Sequence, residues 1–566
     1  MTETAISWMD RLATEIERDA LSSAVSQPLV CASGISPSGP IHMGNLREVF
    51  TTHLVVEALR RRGHTVVHLH SWDDYDRLRK VPAGIDPSFA EHVGKPLSAV
   101  PDPTGRLDCY ASYFIAEFSE VLDALGIQVQ AVRQSQRYPR GDYNQAIRRA
   151  MDSRAAIFDT LAAQQTAGRH DRPAEERRPD YYPFKPYCET CGTDSTRVDG
   201  YAGETVSYSC QCGHRGLMSL ADGAKISGKL VWKVDWPMRW AHERVIFEPA
   251  GEDHHAPTGS FTVGSHLVRS IYGGSAPSST VYSFVPMAGA NGKMSSSAGG
   301  AAVPATALDV IEPAIVRWLY TRRLPGQSFA IDLSPQAVQR LYDEWDRFAR
   351  RAAGENADPV EARVLASCVR TTAGEVRITR RPVSFRLLGS AADITQGNTT
   401  QIARIVAEHL APAEEAPAPG DLLAPLQPRL DCAISWATRL LPSEQRTVIR
   451  DSSDHGPWRQ LDSSMREAVR TLAGGLAGSW TLDGLTALVY SVPKLMLGLP
   501  ADTAPTSDLK NAQRDFFKVL YRLICGADTG PRLPTLMLSI GLERTTALLT
   551  DDDGATGSGM PDLSRG

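Results

Sequence analysis

An α/β domain built on a parallel sheet, split by a cysteine-bearing insert and followed by an all-α region, is the architecture this sequence predicts. Three observations carry it. Short apolar runs alternate with stretches of helical periodicity through residues 1–163 and again through 227–304. Residues 164–226 interrupt that alternation with a polar, proline-rich segment holding four cysteines. After Pro304 the strand signal stops and helical stretches follow one another.

Residues 1–27 read as an amphipathic lead-in helix. Leu29–Ser33 is a short apolar run that reads as a buried strand, and Leu46–Arg62 carries apolar residues at 46, 49, 50, 54, 58 and 59, which is helical spacing. Strand Thr65–His70, helix Tyr110–Leu125, strand Ile127–Arg133 and helix Asn144–Ala163 continue the pattern. The sheet resumes with a strand-like run at Leu230–Trp236 and short strands at Ile246–Pro249 and Thr280–Pro286. Helices are then expected at Asp309–Arg323, Pro335–Ala352, Pro359–Ala373, Thr399–Leu410, Leu422–Leu441, Trp458–Leu476, Leu509–Ile524 and from Pro534 to Leu549. These divide into a connective region, 305–375, and a larger helical domain, 376–550. Ala411–Gly420, rich in Pro, Ala and Glu, reads as a loop, and the acidic, Gly-rich stretch 551–566 is expected to be disordered.

A chain of 566 residues is too long for one core. Its 42% hydrophobic and 22% charged residues are ordinary for globular proteins. No apolar run approaches the length that spans a bilayer, and the acidic N-terminus lacks the apolar centre of a signal peptide, so a cytoplasmic protein with no membrane partner is expected. The net charge of −5 excludes a generally basic nucleic-acid coat; any RNA contact must rest on local arginine patches.

Four of the nine cysteines fall in one window: Cys188-x2-Cys191, then eighteen residues, then Cys210-x-Cys212. Two close pairs at tight turns are what tetrahedral thiolate coordination needs, and Gly192 and Gly213 follow the pairs where the chain must turn away from a metal. A closed, structural Zn2+ site is expected, with His214 as the alternative to Cys212 as fourth ligand. The scattered Cys31, Cys109, Cys368, Cys432 and Cys525 read as reduced core thiols.

Two short motifs carry chemistry. Pro37-Ser38-Gly39-Pro40-Ile41-His42-Met43-Gly44-Asn45 joins the first strand to a helix, whose free N–H groups and dipole then face any anion above the strand's end. Far downstream, Gly292-Lys293-Met294-Ser295-Ser296-Ser297 offers an ammonium and three hydroxyls on a small-residue loop. Singly, each is equally a tight turn. Together, in this order and separation, they resemble the two signatures of class I aminoacyl-tRNA synthetases, His-Ile-Gly-His and Lys-Met-Ser-Lys-Ser. Longer runs resemble the class I lysyl-tRNA synthetases in particular, from about residue 28 to about 550. These are Ser33–Gly39, Asp73–Pro82, Val234–Trp240, Phe247–His254 and Gly530-Pro531-Arg532-Leu533.

The resemblance implies a Rossmann-type catalytic domain with a zinc-binding insertion and a C-terminal helical cage that reads the anticodon. It implies lysine activation by ATP with Mg2+, followed by transfer of the lysyl group to the 3′-terminal ribose of tRNA(Lys). His42, Asn45, Lys293 and Ser296 would act in catalysis; Pro37, Gly39, Gly44, Gly251, Asp253, Met294, Ser295 and Ser297 would complete the ATP site. Gly34, Ser36, Trp232, His254 and Tyr282 would line the amino-acid pocket. Residue chemistry offers Asp73, Asp235 and Asp253 as carboxylates for the ε-ammonium, with Trp232, Trp236 and Tyr282 as flat walls for its stem. Core packing is the competing role for Trp236 and Trp240, and helix capping for Asp235.

Three positions depart from the family pattern: Met43 and Asn45 within the first signature, and Ser36 where many relatives have threonine. Arg106 and Leu107 stand where relatives often carry Cys and His, so a second metal there is left open. Arg133–Arg149, Arg317–Arg323 and Arg377–Arg386 are candidate tRNA contacts, and a monomer is expected. Two other readings are a synthetase-derived adenylate former that loads a carrier or peptide, and a catalytically dead relative. The first would lack the helical region, and the second would have lost His42 or Lys293.

Overall fold

The computed structural model describes residues 6–22, 27–164, 172–286, 303–371, 374–376, 383–410, 422–451 and 456–550. The Lys293–Ser297 motif, the Ala411–Gly420 loop and the tail 551–566 lie outside them. The chain divides into two compact units. One takes the described residues through Leu308 with Pro313–Leu333 and 348–376; the other takes Asp309–Glu312, Ser334–Arg347 and the residues from 383 to 550.

The first unit is organised by a four-stranded parallel sheet. Helix α1 (Trp8–Ser22) precedes strand β1 (Leu29–Ile35), followed by α2 (Met43–Arg61), β2 (Val66–Trp72), α3 (Tyr110–Ala124) and β3 (Gln130–Arg133). β1 pairs with β2 from Leu29↔Val66 to Ile35↔Trp72, and β2 pairs with β3 from Leu69↔Gln130 to Trp72↔Arg133. The short strand Val245–Phe247 then joins the other edge of β1. The chain therefore leaves β1 towards one side and returns later on its other side. Such a switch point opens a crevice beyond the strand's carboxyl end.

α2 is buried along almost its whole length, including Arg47, His53 and Glu57, because it is covered by more than the sheet. Tyr320, from the helix Pro313–Thr321, stacks on Phe50 at 4.7 Å and donates its hydroxyl hydrogen bond to the Met43 carbonyl at 2.7 Å. Arg317 on the same helix is fully buried; its guanidinium reaches Glu57 at 3.3 Å and the Leu125 carbonyl at 2.9 Å.

The structure corrects several expected elements. Leu230–Trp236 is not a strand: Gly228–Leu230 pairs with Phe184–Pro186, and Trp232–Glu243 is a helix. The tryptophans at 232, 236 and 240 have helical spacing and stack down one face, with ring centroids 5.0 and 4.9 Å apart. The expected helix Asn144–Ala163 breaks at Ser153, and the one from Pro534 to Leu549 breaks at Gly541, whose φ of 94° no helix tolerates. Pro359–Val369 ends early in a small hairpin, and the Leu422–Leu441 stretch is divided among short turns. Two helices of the second unit, Phe385–Ile394 and Leu482–Met496, had no counterpart among the expected elements.

The cysteine-bearing insert folds as a three-stranded antiparallel sheet, Thr196–Ala202, Thr205–Cys210 and Arg215–Ser219. Its Tyr187, Val206 and Tyr208 share a core with Tyr75, Tyr138 and Met238 of the sheet domain. The second unit is helical, cored by residues such as Leu472, Leu485, Phe516, Leu520 and Met537. No helix among the described residues is long and apolar enough to cross a membrane.

Candidate active site

The turn after β1 is built as its sequence suggests. His42 is the N-cap of α2 in extended conformation, and Asn45, at the third helical position, accepts a hydrogen bond from the His42 N–H at 3.2 Å. This capping arrangement occupies the Asn45 amide oxygen and does not use its NH2 group. Gly44 lies in the first turn of α2, and Pro37 and Gly39 lie in the connection leading to it.

Beside this turn is a cavity of about 330 Å3. Gly34 and Ser36 from the end of β1, Asp73 from the end of β2, Trp232 and Trp236, and His254 form its sides. Gly34 lies close to the neighbouring strand, where a Cβ would sit 3.4 Å from the Ser71 carbonyl oxygen, an ordinary contact distance. Trp236 meets His254 edge-on at 5.5 Å, so it contributes to the wall as well as to the core, whereas Trp240 is a core residue.

Which carboxylates meet a ligand differs from expectation. Asp235 is fully buried and internally engaged: it accepts from the Tyr138 hydroxyl and pairs with Lys229 at 3.5 Å and Arg239 at 3.3 Å. It does not line the cavity. Asp73 lines it but is bonded to Arg239 at 2.8 Å. Burial works to deprotonate Lys229, yet Asp235, Asp76 and Asp73 hold its ammonium charged.

Two glutamates that sequence reasoning did not single out have no ion-pair partner among the described residues. Glu48 of α2 accepts from the Gly34 N–H at 2.7 Å and from the Tyr282 hydroxyl at 2.8 Å. Glu248 accepts from the Trp240 indole N–H at 2.6 Å. Burial raises Glu48 to about 8, with Glu248 and Asp73 adding to the effect. Burial likewise raises Glu248 to about 7. Near neutrality these carboxyls are held largely or partly protonated, and an ammonium placed against them would draw them into the charged form. Glu248 sits inside the Phe247–His254 run, so its position was visible in the sequence. Glu48 carries no such signal.

Tyr282 pairs with Gly251 in a two-residue parallel ladder, which sets its hydroxyl on Glu48. A Cβ on Gly251 would lie 2.8 Å from the Asp253 carboxylate. Asp253 and His254 follow in a short helical turn, Glu252–His255. Lys293, Met294, Ser295, Ser296 and Ser297 lie outside the described residues.

The arginine stretches are largely absorbed by the fold. Arg133 pairs with Asp74 at 2.8 Å, Arg137 with Asp142 at 2.9 Å and Arg148 with Asp222 at 2.7 Å, while Tyr138 and Tyr143 are buried. Arg317, Trp318 and Tyr320 are core residues and offer nothing to an RNA. Arg386 pairs with Asp343 at 2.7 Å; residues 377–382 lie outside the described set.

In the insert, the sulfurs of Cys188, Cys191, Cys210 and Cys212 all lie within 4.8 Å of one another. Gly192 and Gly213 donate back to the carbonyls of Cys188 (2.8 Å) and Cys210 (3.0 Å), with φ of 74° and 92°. His214 is not part of the group; its ring faces Glu189 at 4.0 Å.

The chain matches the family described as tRNA synthetases class I (K) over residues 6–373. It is 44% identical to a lysine–tRNA ligase of Streptomyces coelicolor, covering 97% of this chain and 98% of that one. It is 31% identical to a lysine–tRNA ligase of Pyrococcus horikoshii over 94% and 97% of the two chains. With a strand-to-helix turn at a sheet switch point and a cavity beside it, the family match and these full-length similarities settle the family: the chain belongs to the class I (K) family of tRNA synthetases.

Proposed function

We infer that this chain is an ATP-dependent ligase that activates lysine as lysyl-adenylate, releasing pyrophosphate, and transfers the lysyl group to tRNA(Lys). The observation that carries the choice of lysine is the cavity floor, where Glu48 and Glu248 form no ion pair among the described residues, with Arg239 the nearest cation to Glu248, beneath walls of Trp232, Trp236 and His254. An ammonium on a methylene stem fits flat aromatic sides and a carboxylate end. Arg239 and Lys229 already neutralise Asp73 and Asp235, so these two act as the rigid support of the floor.

The lysine carboxylate attacks the α-phosphorus of ATP in line and displaces pyrophosphate; a hydroxyl of the tRNA's terminal ribose then attacks the mixed anhydride and displaces AMP. No protein nucleophile is needed, so the protein positions the reactants and stabilises charge. His42 and the Asn45 NH2 group at the α2 N-terminus meet the phosphates, with Lys293 from the downstream motif. ATP enters as its Mg2+ complex, and the ion offsets phosphate charge. Gly251 leaves room for the nucleotide, with Asp253 beside it. Catalysis occurs in the cytoplasm by a monomer.

The insert holds one structural Zn2+ through Cys188, Cys191, Cys210 and Cys212. What supports this is the donor set itself: four thiols brought within 4.8 Å by two glycine turns. The helical second unit, with its Gly530–Leu533 segment, is the part that reads the anticodon. Lysine-dependent exchange between pyrophosphate and ATP, in the presence of tRNA, tests the activity. Failure of lysine to support exchange would overturn it.

A further inference from the structure

The loop that leaves the carboxyl end of β2 is held by the cysteine-bearing insert. Asp73, Asp76 and Arg79 of this loop line the amino-acid cavity. The loop has no helix or strand of its own through this stretch, and its β contact is an isolated bridge between Arg77 and Pro96. Its first two residues are tied to the sheet domain, Asp73 to Arg239 at 2.8 Å and Asp74 to Arg133 at 2.8 Å. The next three are tied to the insert. The Tyr187 hydroxyl donates to the Tyr75 carbonyl at 2.7 Å, the Lys229 ammonium pairs with Asp76, and Arg77 donates to Asp194 at 2.6 Å.

These ties start from two close-packed places. Lys229 lies on Gly228–Leu230, the strand that returns from the insert and pairs with Phe184–Pro186. Gly228 lets the two strands close, since a Cβ there would stand 2.7 Å from the Lys185 carbonyl oxygen. Asp194 follows the Cys188–Cys191 turn, where the Cys188 N–H donates to the Thr193 carbonyl at 2.9 Å. The Asp194 N–H donates to the Gly94 carbonyl at 2.8 Å, and the Gly94 N–H donates to the Leu78 carbonyl at 2.9 Å. Asp194 therefore grips the loop twice, by its carboxylate on Arg77 and by its backbone, through Gly94, on Leu78. Its side chain is 10% exposed and that of Arg77 47%, so the pair reaches the surface at its arginine end only. Neither residue lines the cavity.

A side-chain wall that fits a ligand must be held within about 0.5 Å of its productive geometry. Arg239 and Lys229 already neutralise Asp73 and Asp76, so what these two give a bound lysine is shape. We propose that the insert positions the amino-acid cavity: Asp194 through Arg77, with Lys229 through Asp76, fixes the loop 73–79 in the conformation that fits the lysine stem. Asp194 and Arg77 are then positioning residues, acting on lysine through the loop without touching it. This rests on the reading of the chain as a lysine-activating ligase.

The test uses the full chain with Arg77→Ala, Arg77→Lys, Asp194→Ala and the double alanine variant, in lysine-dependent pyrophosphate exchange at saturating tRNA(Lys). A half-exposed ion pair contributes little to global stability, so melting temperatures should stay near that of the wild type. Each alanine variant should raise the Michaelis constant for lysine by roughly 5- to 30-fold, with the constant for ATP and the rate at saturating lysine within about threefold of wild type. The double variant should be no worse than the worse single one, because both remove the same brace, and Arg77→Lys should recover part of the loss. Ornithine should lose less than lysine, because a loosened wall no longer matches the longer stem, whereas a smaller folded fraction would lower both alike. A lysine constant within about twofold of wild type in the folded variants, an equal rise for lysine and ATP, or additive losses in the double variant overturns the assignment and leaves the ligase reading intact. If Asp194→Ala does not fold, Arg77→Ala and Arg77→Lys decide the matter by the same constants. A wild type without lysine-dependent exchange would instead remove the ligase reading and this one with it.

Discussion

Replacing Glu48 by glutamine removes one charge from the cavity floor with little change of shape. The amide oxygen keeps the hydrogen bond from the Gly34 N–H, now 2.7 Å, and the NH2 turns to Tyr282, whose hydroxyl can accept instead of donate. The fold should therefore survive. A carboxylate–ammonium contact near 4 Å at an effective dielectric of about 20 is worth about 4 kcal/mol. From this is subtracted about 1 kcal/mol for ionising a carboxyl that burial has raised to about 8 when the solution is near neutrality. With Glu248 still present, the net loss is about 2–3 kcal/mol, or roughly 30- to 150-fold in the Michaelis constant for lysine. The constant for ATP should move by less than about threefold, because Glu48 touches no phosphate position. Steady-state exchange kinetics with lysine and ATP varied in turn measure both. A Michaelis constant for lysine within about threefold of wild type would refute the assignment of Glu48 to the ammonium.

Further outcomes follow from the same geometry. Because Glu48 and Glu248 are raised to about 8 and about 7, lysine affinity should strengthen as pH rises through that range, and binding at about pH 7 should release protons, seen as a calorimetric enthalpy that varies with the buffer's ionisation enthalpy. The folded-state values lie above the unfolded one of 4.5, so the stability these groups add to the lysine-free protein is full below that value and lost as pH rises through about 7 to 8; thermal melts of wild type against Glu48→Gln should show it. His42→Ala and Lys293→Ala should each slow adenylate formation by roughly 10²- to 10³-fold with unchanged melting temperature, and near-normal exchange in either would contradict their roles. Cys188→Ser should lower bound zinc from one per chain to well below that, measured by metal analysis, and should impair transfer to tRNA more than adenylate formation; a fully active, metal-free wild type would rule the site out.

Much of the sheet domain was legible because its signals are local. Leu29–Ser33, the His42 turn and the helix beyond it follow directly from apolar spacing and small-residue punctuation, and the glycine turns of the insert follow from the cysteine spacing. What was not legible depends on partners distant in sequence. Leu230–Trp236 has the β-branched and aromatic content of a strand, and only the tryptophan spacing over a longer window reveals a helix. Asp235 looks like a ligand carboxylate until Lys229, Arg239 and Tyr138 are placed around it. Arg317 looks like an RNA contact until α2 covers it and its guanidinium is buried against Glu57. Glu48 is the reverse case: an ordinary glutamate in a helix that becomes the floor of a cavity through Gly34 and Tyr282. Helix Ser260–Ser270 of the first unit was missed as well; the two missed helices of the second unit carry interruptions, Gly389 in one and Gly484 with Pro493 in the other, that lower local propensity while packing retains them.

The central claim is that this cavity selects a compact ammonium at the end of a methylene stem. It is tested most directly by pyrophosphate exchange with lysine, ornithine, arginine and glutamate in the presence of tRNA(Lys). The account predicts exchange with lysine and weaker exchange with ornithine, whose shorter stem costs about 1–3 kcal/mol. It predicts none with arginine, whose planar fork is too broad, or with glutamate, which the Glu48–Glu248 floor repels. Exchange with arginine or glutamate equal to that with lysine would contradict it.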